Sequence, residues 1–90
     1  MIRFNNVSVK YDKDVYAIKD LSLKINEGEF VFIVGKTGAG KSTLFKLLTR
    51  EIKPFSGSIK VFKDNIEYIN DRDIPYYRRQ LGVIFKILNF

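Results

Sequence analysis

Residues 35–42 read Gly35-Lys36-Thr37-Gly38-Ala39-Gly40-Lys41-Ser42, and the reading of this stretch decides the fold. It fills every fixed position of the phosphate-loop pattern G-x-x-x-x-G-K-[ST], with Gly35, Gly40, Lys41 and Ser42. Upstream, Phe30-Val31-Phe32-Ile33-Val34 is a continuous apolar run rich in β-branched and aromatic residues, which predicts a buried parallel strand. Downstream, Leu44, Leu47 and Leu48 recur at i, i+3 and i+4, the apolar stripe of an amphipathic helix. That helix is expected from about Ser42 to Glu51, closed by Lys53-Pro54, because the residue before a proline resists the α region. Average residue usage gives about 0.003 chance matches to the pattern in a chain this long, before the flanks are counted. Strand, glycine loop and helix together read as a nucleotide-binding loop.

Each residue type in the loop has a physical reason. Glycines admit positive φ and let the backbone approach a phosphate with no Cβ in the way. Successive N–H groups then converge as an anion nest, and the following helix adds the positive end of its dipole. Lys41 offers a compact point charge for the β- and γ-phosphates. The Ser42 hydroxyl offers one ligand to Mg²⁺, whose other ligands are waters and phosphate oxygens.

The 90 residues allow one small domain, and an apolar share of 46% with 14% aromatic makes it globular rather than disordered. With no cysteine there is neither a disulfide framework nor a thiolate metal site, and with no histidine no imidazole catalysis. The apolar runs are far shorter than the roughly 20 residues that span a bilayer, and the first residues do not read as a secretion signal. These features predict a cytosolic chain. The net charge of +6 has two readings. Its Lys, Ile, Asn, Phe and Tyr richness is what AT-rich coding DNA produces, while the alternative is a preference for anionic lipid or phosphate. No nucleic-acid-binding module is recognisable, so no nucleic-acid partner is expected.

Along the chain, Ile2, Phe4, Val7 and Val9 alternate loosely with polar residues, and Ile18, Leu21, Leu23 and Ile25 continue the period of two. Residues 2–25 therefore read as an antiparallel strand pair turned at Tyr11-Asp12-Lys13-Asp14. Asn26-Glu27-Gly28-Glu29 is a turn into the apolar strand. Ser56-Gly57 turns into a strand over about Ser58–Phe62, and Asp64-Asn65 turns again. Asp71–Gln80 reads as a short helix with Pro75 in its first turn, and Leu81–Phe85 as a further apolar strand.

With the loop, its flanks and their order in place, the chain resembles the ATP-binding subunits of the ABC family. Ile2–Tyr11 is similar to the family's first strand, and Ser22–Gly28 and Pro54–Ile59 to further framework segments. The resemblance implies an α/β fold: the N-terminal part of a P-loop NTPase (ABC ATPase) domain, an antiparallel β subdomain plus the start of the parallel nucleotide-binding sheet. It implies ATP and Mg²⁺ as cofactors. Tyr11 would stack on adenine; Gly35, Lys36, Thr37, Gly38, Ala39, Gly40, Lys41 and Ser42 would hold the phosphates, with Thr43 a further donor near the α-phosphate. Ser42 would be the Mg²⁺ ligand.

Within the family, Arg72-Asp73-Ile74-Pro75-Tyr76-Tyr77-Arg78-Arg79-Gln80-Leu81-Gly82-Val83-Ile84-Phe85 looks most like the FtsE-type cell-division branch, as does Met1-Ile2-Arg3-Phe4. Lipoprotein-release and macrolide-export ATPases share much of this pattern. The implied partners are ATP, an integral membrane protein such as an FtsX-like permease, and a second copy of the full-length subunit. The implied place is the cytoplasmic face of the bacterial plasma membrane, held peripherally.

Two departures qualify what is implied. The family's glutamine after the strand ending in Phe85 is here Lys86, an ammonium with donors but no acceptor, which cannot ligate a cation. The resemblance also spans less than half of such a domain, so residues 1–90 read as a partial ATP-binding domain that runs through the strand before the glutamine loop. The signature motif, the Walker B strand with its catalytic glutamate and the switch histidine all lie beyond it. None of the ten acidic residues follows a run of four apolar residues, so no stand-in for the general base is expected, and no catalytic residue is assigned. A longer natural product, a disrupted reading frame and a nucleotide-binding fragment without catalysis all remain open on the sequence.

Overall fold

The computed structural model describes residues 2–26 and 40–87. The apolar run Phe30–Val34 and the loop residues Gly35–Ala39 lie outside the described residues, as do the side chains of Lys41, Ser42 and Lys86.

Strands β1 (Ile2–Asp12) and β2 (Val15–Ile25) form an antiparallel hairpin, as the alternating pattern predicts. Its turn is tighter than expected: Tyr11 and Asp12 are still in strand, and only Lys13 and Asp14 turn. The Asp12 carboxylate accepts the Lys13 N–H at 2.7 Å, satisfying a donor the ladder cannot use. Strand β3 (Ser56–Val61) pairs antiparallel with the other edge of β1, and the two-residue β4 (Asp64–Asn65) pairs with β3. The sheet order is β2-β1-β3-β4. Asp64-Asn65, expected as a turn, is a strand because the reversal falls one step earlier, with Phe62 at φ 57.

The loose alternation of β1 has a structural cause. Asn6 and Asp20 both adopt positive φ, at 49° and 48°, and the register shifts between Phe4 and Val7. Each irregular residue is secured by a serine of the opposite strand. The Asn6 N–H donates to Ser22 Oγ at 3.0 Å, and the Asp20 N–H to Ser8 Oγ at 2.9 Å. The bulge lets Ile2 and Phe4 before it, and Val7 and Val9 after it, all be buried. Gly57 (φ +86) lies against it so closely that a Cβ would stand 2.2 Å from the Asn6 carbonyl oxygen.

Helix α1 (Gly40–Leu48) lays Leu44, Leu47 and Leu48 into the core, as the stripe predicts. They meet Ile2, Phe4, Val7 and Ile25 of the hairpin, Ile59 and Val61 of β3, and Ile66 from the 3₁₀ turn Ile66–Tyr68. The helix stops at Leu48 rather than near Glu51, and Lys53-Pro54 is not its terminator. Arg50 takes the left-handed conformation (φ 60), the Glu51 N–H turns back onto the Lys46 carbonyl at 2.9 Å and the Arg50 N–H onto that of Leu47 at 3.2 Å, the paired bonds of a Schellman closure.

After a 3₁₀ turn over Asp71–Asp73 comes helix α2 (Ile74–Ile87), with Pro75 in its first turn as expected. The expected strand over Leu81–Phe85 is not formed, because α2 runs through it. A five-residue apolar run reads equally as strand or helix by periodicity. As helix it sets Leu81 one turn beyond Tyr77, and both are buried in the common core. No parallel strand pair occurs among the described residues.

Candidate functional site

The phosphate-loop helix is the element around which the candidate site is built. Its first turn carries no acidic residue, so nothing there opposes an anion at the positive end of the dipole. Gly40 is already helical, so the loop pattern's last glycine opens α1 itself. Thr43, in the first turn, is half-buried, and Leu44 beside it is core. The donor set of the loop, with glycines, Lys41 and two hydroxyls at a helix start lacking carboxylates, suits a phosphate group.

The opposite end of α1 is fixed with unusual completeness. Helix C-termini leave their last carbonyls without partners inside the helix. Here the Phe45 carbonyl accepts both the Thr49 N–H at 2.9 Å and the Thr49 hydroxyl at 2.8 Å. Lys46 accepts from Glu51 and Ile52, and Leu47 from the Arg50 N–H at 3.2 Å. The Tyr77 hydroxyl donates to the Leu48 carbonyl, and Arg78 Nε to the Thr49 carbonyl at 2.9 Å. Thus α2 caps α1 from across the core. Burial pushes the Tyr77 phenol well up from its ordinary range, against a smaller downward pull from the Arg50 guanidinium.

Arg50 ties the same end of α1 to the following loops. Its buried guanidinium donates to the carbonyls of Ile66 and Ile69, the latter at 2.9 Å. Its ion pair with Asp71 is long, at 3.7 Å, and that carboxylate is fully exposed, so the two carbonyl bonds carry the anchorage. Arg50, Tyr77 and Arg78 escape the sequence reading. The one available signal is an arginine just beyond the last apolar residue of a helix, where cationic donors suit free carbonyls.

Tyr11 lies in the last two residues of β1 with 73% of its surface exposed, an aromatic face open to a planar ligand. Beside the same hairpin, Lys10 Nζ sits 4.2 Å from the Phe55 ring centroid and 5.0 Å from that of Tyr16. The structure thus describes Tyr11, Thr43 and the backbone of Gly40–Ser42, while Gly35, Lys36, Thr37, Gly38 and Ala39 lie outside the described residues. No cluster of three acidic side chains that could hold a metal occurs among the described residues, and no helix among them is long and apolar enough to cross a membrane.

The family model of the ABC transporter matches residues 18–90. The phosphonates import ATP-binding protein PhnC 3 of Halalkalibacterium halodurans is 44% identical over 89 residues, covering 99% of this chain and 34% of its own. The cell division ATP-binding protein FtsE of Bacillus subtilis is 41% identical over 86 residues, covering 96% of this chain and 38% of its own. Among solved structures, the dimeric ATP-binding cassette MJ0796 in a post-hydrolysis state bound to ADP and Pi superposes with a TM-score of 0.69 at 28% identity, over 88% of this chain and 35% of that one. The chain therefore spans about a third of the length of these relatives.

Proposed function

The chain belongs to the ABC transporter family, and from that premise we propose that it is the amino-terminal part of an ATP-binding subunit of a membrane-associated complex. The observation that carries the reading is the complete loop Gly35–Ser42 running into α1, a helix with no acid in its first turn and a C-terminal end held by bonds from its own closing turn and from α2. In this reading Gly35, Lys36, Thr37, Gly38, Ala39, Gly40 and Lys41 hold the phosphates, Ser42 ligates Mg²⁺, Thr43 donates near the α-phosphate, and Tyr11 stacks on adenine. When bound, MgATP supplies a phosphoanhydride whose charge the metal neutralises. The residues of this chain bind and orient it. The water-positioning machinery belongs to the part of the domain that follows in the longer relatives, with which residues 1–90 form one ATP-binding domain. The subunit pairs with a second copy and with a membrane permease, at the cytoplasmic face of the membrane.

For the output, the cell-division role is favoured by the segment Arg72–Phe85 and by the FtsE relative, with an FtsX-like permease as partner. Phosphonate import is the second reading, favoured by the 44% identity to PhnC 3 over nearly the whole chain. Lys41→Ala in the intact protein tests the nucleotide site: it is expected to remove MgATP binding, measured by calorimetry, and binding that survives it overturns the loop assignment. Depletion in cells separates the outputs. Blocked septation supports division, whereas normal division with lost growth on a phosphonate as phosphorus source supports import.

A further inference from the structure

On the solvent face of the sheet, three cations stand in one row across three strands. Arg3 of β1 is the register partner of Lys24 on β2 and of Lys60 on β3. All three are exposed, while their neighbours Ile2, Phe4, Ile25, Ile59 and Val61 point into the core. Like charges directly opposite one another on neighbouring strands are destabilising. Among the described residues none of the three has a carboxylate partner, the ion pair recorded there being that of Arg50 with Asp71. The row is also concave. Arg3, Lys24 and Lys60 line a cleft of about 190 Å³ together with Asn5 and Phe62. Phe62 is held at φ 57 with 51% of its surface exposed, a left-handed aromatic that buries little in the core.

We propose that this cleft is an anion site, separate from the phosphate loop, for a multiply charged phosphoryl group. Two ammonium groups and a guanidinium at strand spacing can surround such a group with charge-assisted hydrogen bonds, Asn5 adds an amide donor, and Phe62 forms an apolar wall. A bound polyanion relieves the repulsion along the row, so occupation stabilises the sheet.

The test uses the intact protein that carries this chain, with Lys41→Ala to remove the phosphate loop from competition. Pyrophosphate is titrated by calorimetry, and phosphatidylglycerol vesicles are tested by co-sedimentation. Pyrophosphate binding that raises the melting temperature supports the site with a soluble phosphoryl ligand. Binding to vesicles alone supports it with a lipid headgroup as the source. In either arm Arg3→Gln/Lys24→Gln/Lys60→Gln should weaken binding by about tenfold or more, with the melting temperature of the free protein unchanged or higher. Arg3→Gln alone, the centre of the row, serves should the triple variant fail to fold. Binding in neither arm, or binding equal in the variants, overturns the proposal.

Discussion

At the residue scale, the Tyr77 hydroxyl does two things at once: it lets a ring enter the core and satisfies the last carbonyl of α1. Tyr77→Phe keeps the ring and orphans a buried acceptor, so it is expected to cost about 1–3 kcal/mol in denaturant unfolding. The same group carries a pH signature. Its folded pKa is raised by burial, so the protonated phenol is favoured by folding, and its stability is intact below the unfolded value of about 10 and lost as pH rises above it. Stability measured from pH 8 to 11 should therefore fall more steeply in the parent than in Tyr77→Phe. Gly57 is as demanding for a different reason. At φ +86 with the Asn6 carbonyl 2.2 Å from a notional Cβ, Gly57→Ala must move the bulge or break the β1–β3 ladder. A loss of more than about 2 kcal/mol is expected, well beyond the cost of positive φ alone.

At the element scale, α1 shows how a nine-residue helix, too short to be stable alone, is held. Its apolar stripe is core, and its closing turn combines backbone return bonds with donors from α2. Arg50 supplies both the left-handed turn and the guanidinium bonds to Ile66 and Ile69. These contributions separate by substitution. Arg50→Gly loses only the side-chain bonds, whereas Arg50→Ala also keeps a Cβ in the left-handed region. The alanine variant should be the less stable by about 1 kcal/mol in thermal or urea unfolding. The stripe Leu44, Leu47, Leu48 was legible in the sequence because its period belongs to one geometry only. The stop at Leu48 was not, because a non-glycine residue in the left-handed region leaves no local trace, and Pro54 offered a plausible but later terminator.

At the scale of the whole molecule, one core joins both faces of the problem: the sheet behind the hairpin, the phosphate-loop helix, and α2 with Tyr77 and Leu81. Nucleotide binding at the loop should therefore stabilise the entire fold. MgATP at a hundredfold excess over its Kd is expected to add about 2.7 kcal/mol in the intact protein, and Lys41→Ala to abolish that gain in a thermal melt. By itself the sequence determined the phosphate-loop motif, the antiparallel hairpin over residues 2–25 and the buried stripe of α1, because spacing and period are local properties that a single segment carries. It also gave Arg72–Phe85 a family likeness but misread Leu81–Phe85 as strand, since an apolar run of five fits either geometry and the choice lies with what covers it. Only the tertiary structure decided that α2 continues through that run, that Tyr77, Arg78 and Arg50 close the far end of α1, and that Arg3, Lys24 and Lys60 stand in a row. Each of these is a meeting of residues well separated along the chain, fixed by strand register and helix packing, and no window of sequence contains it.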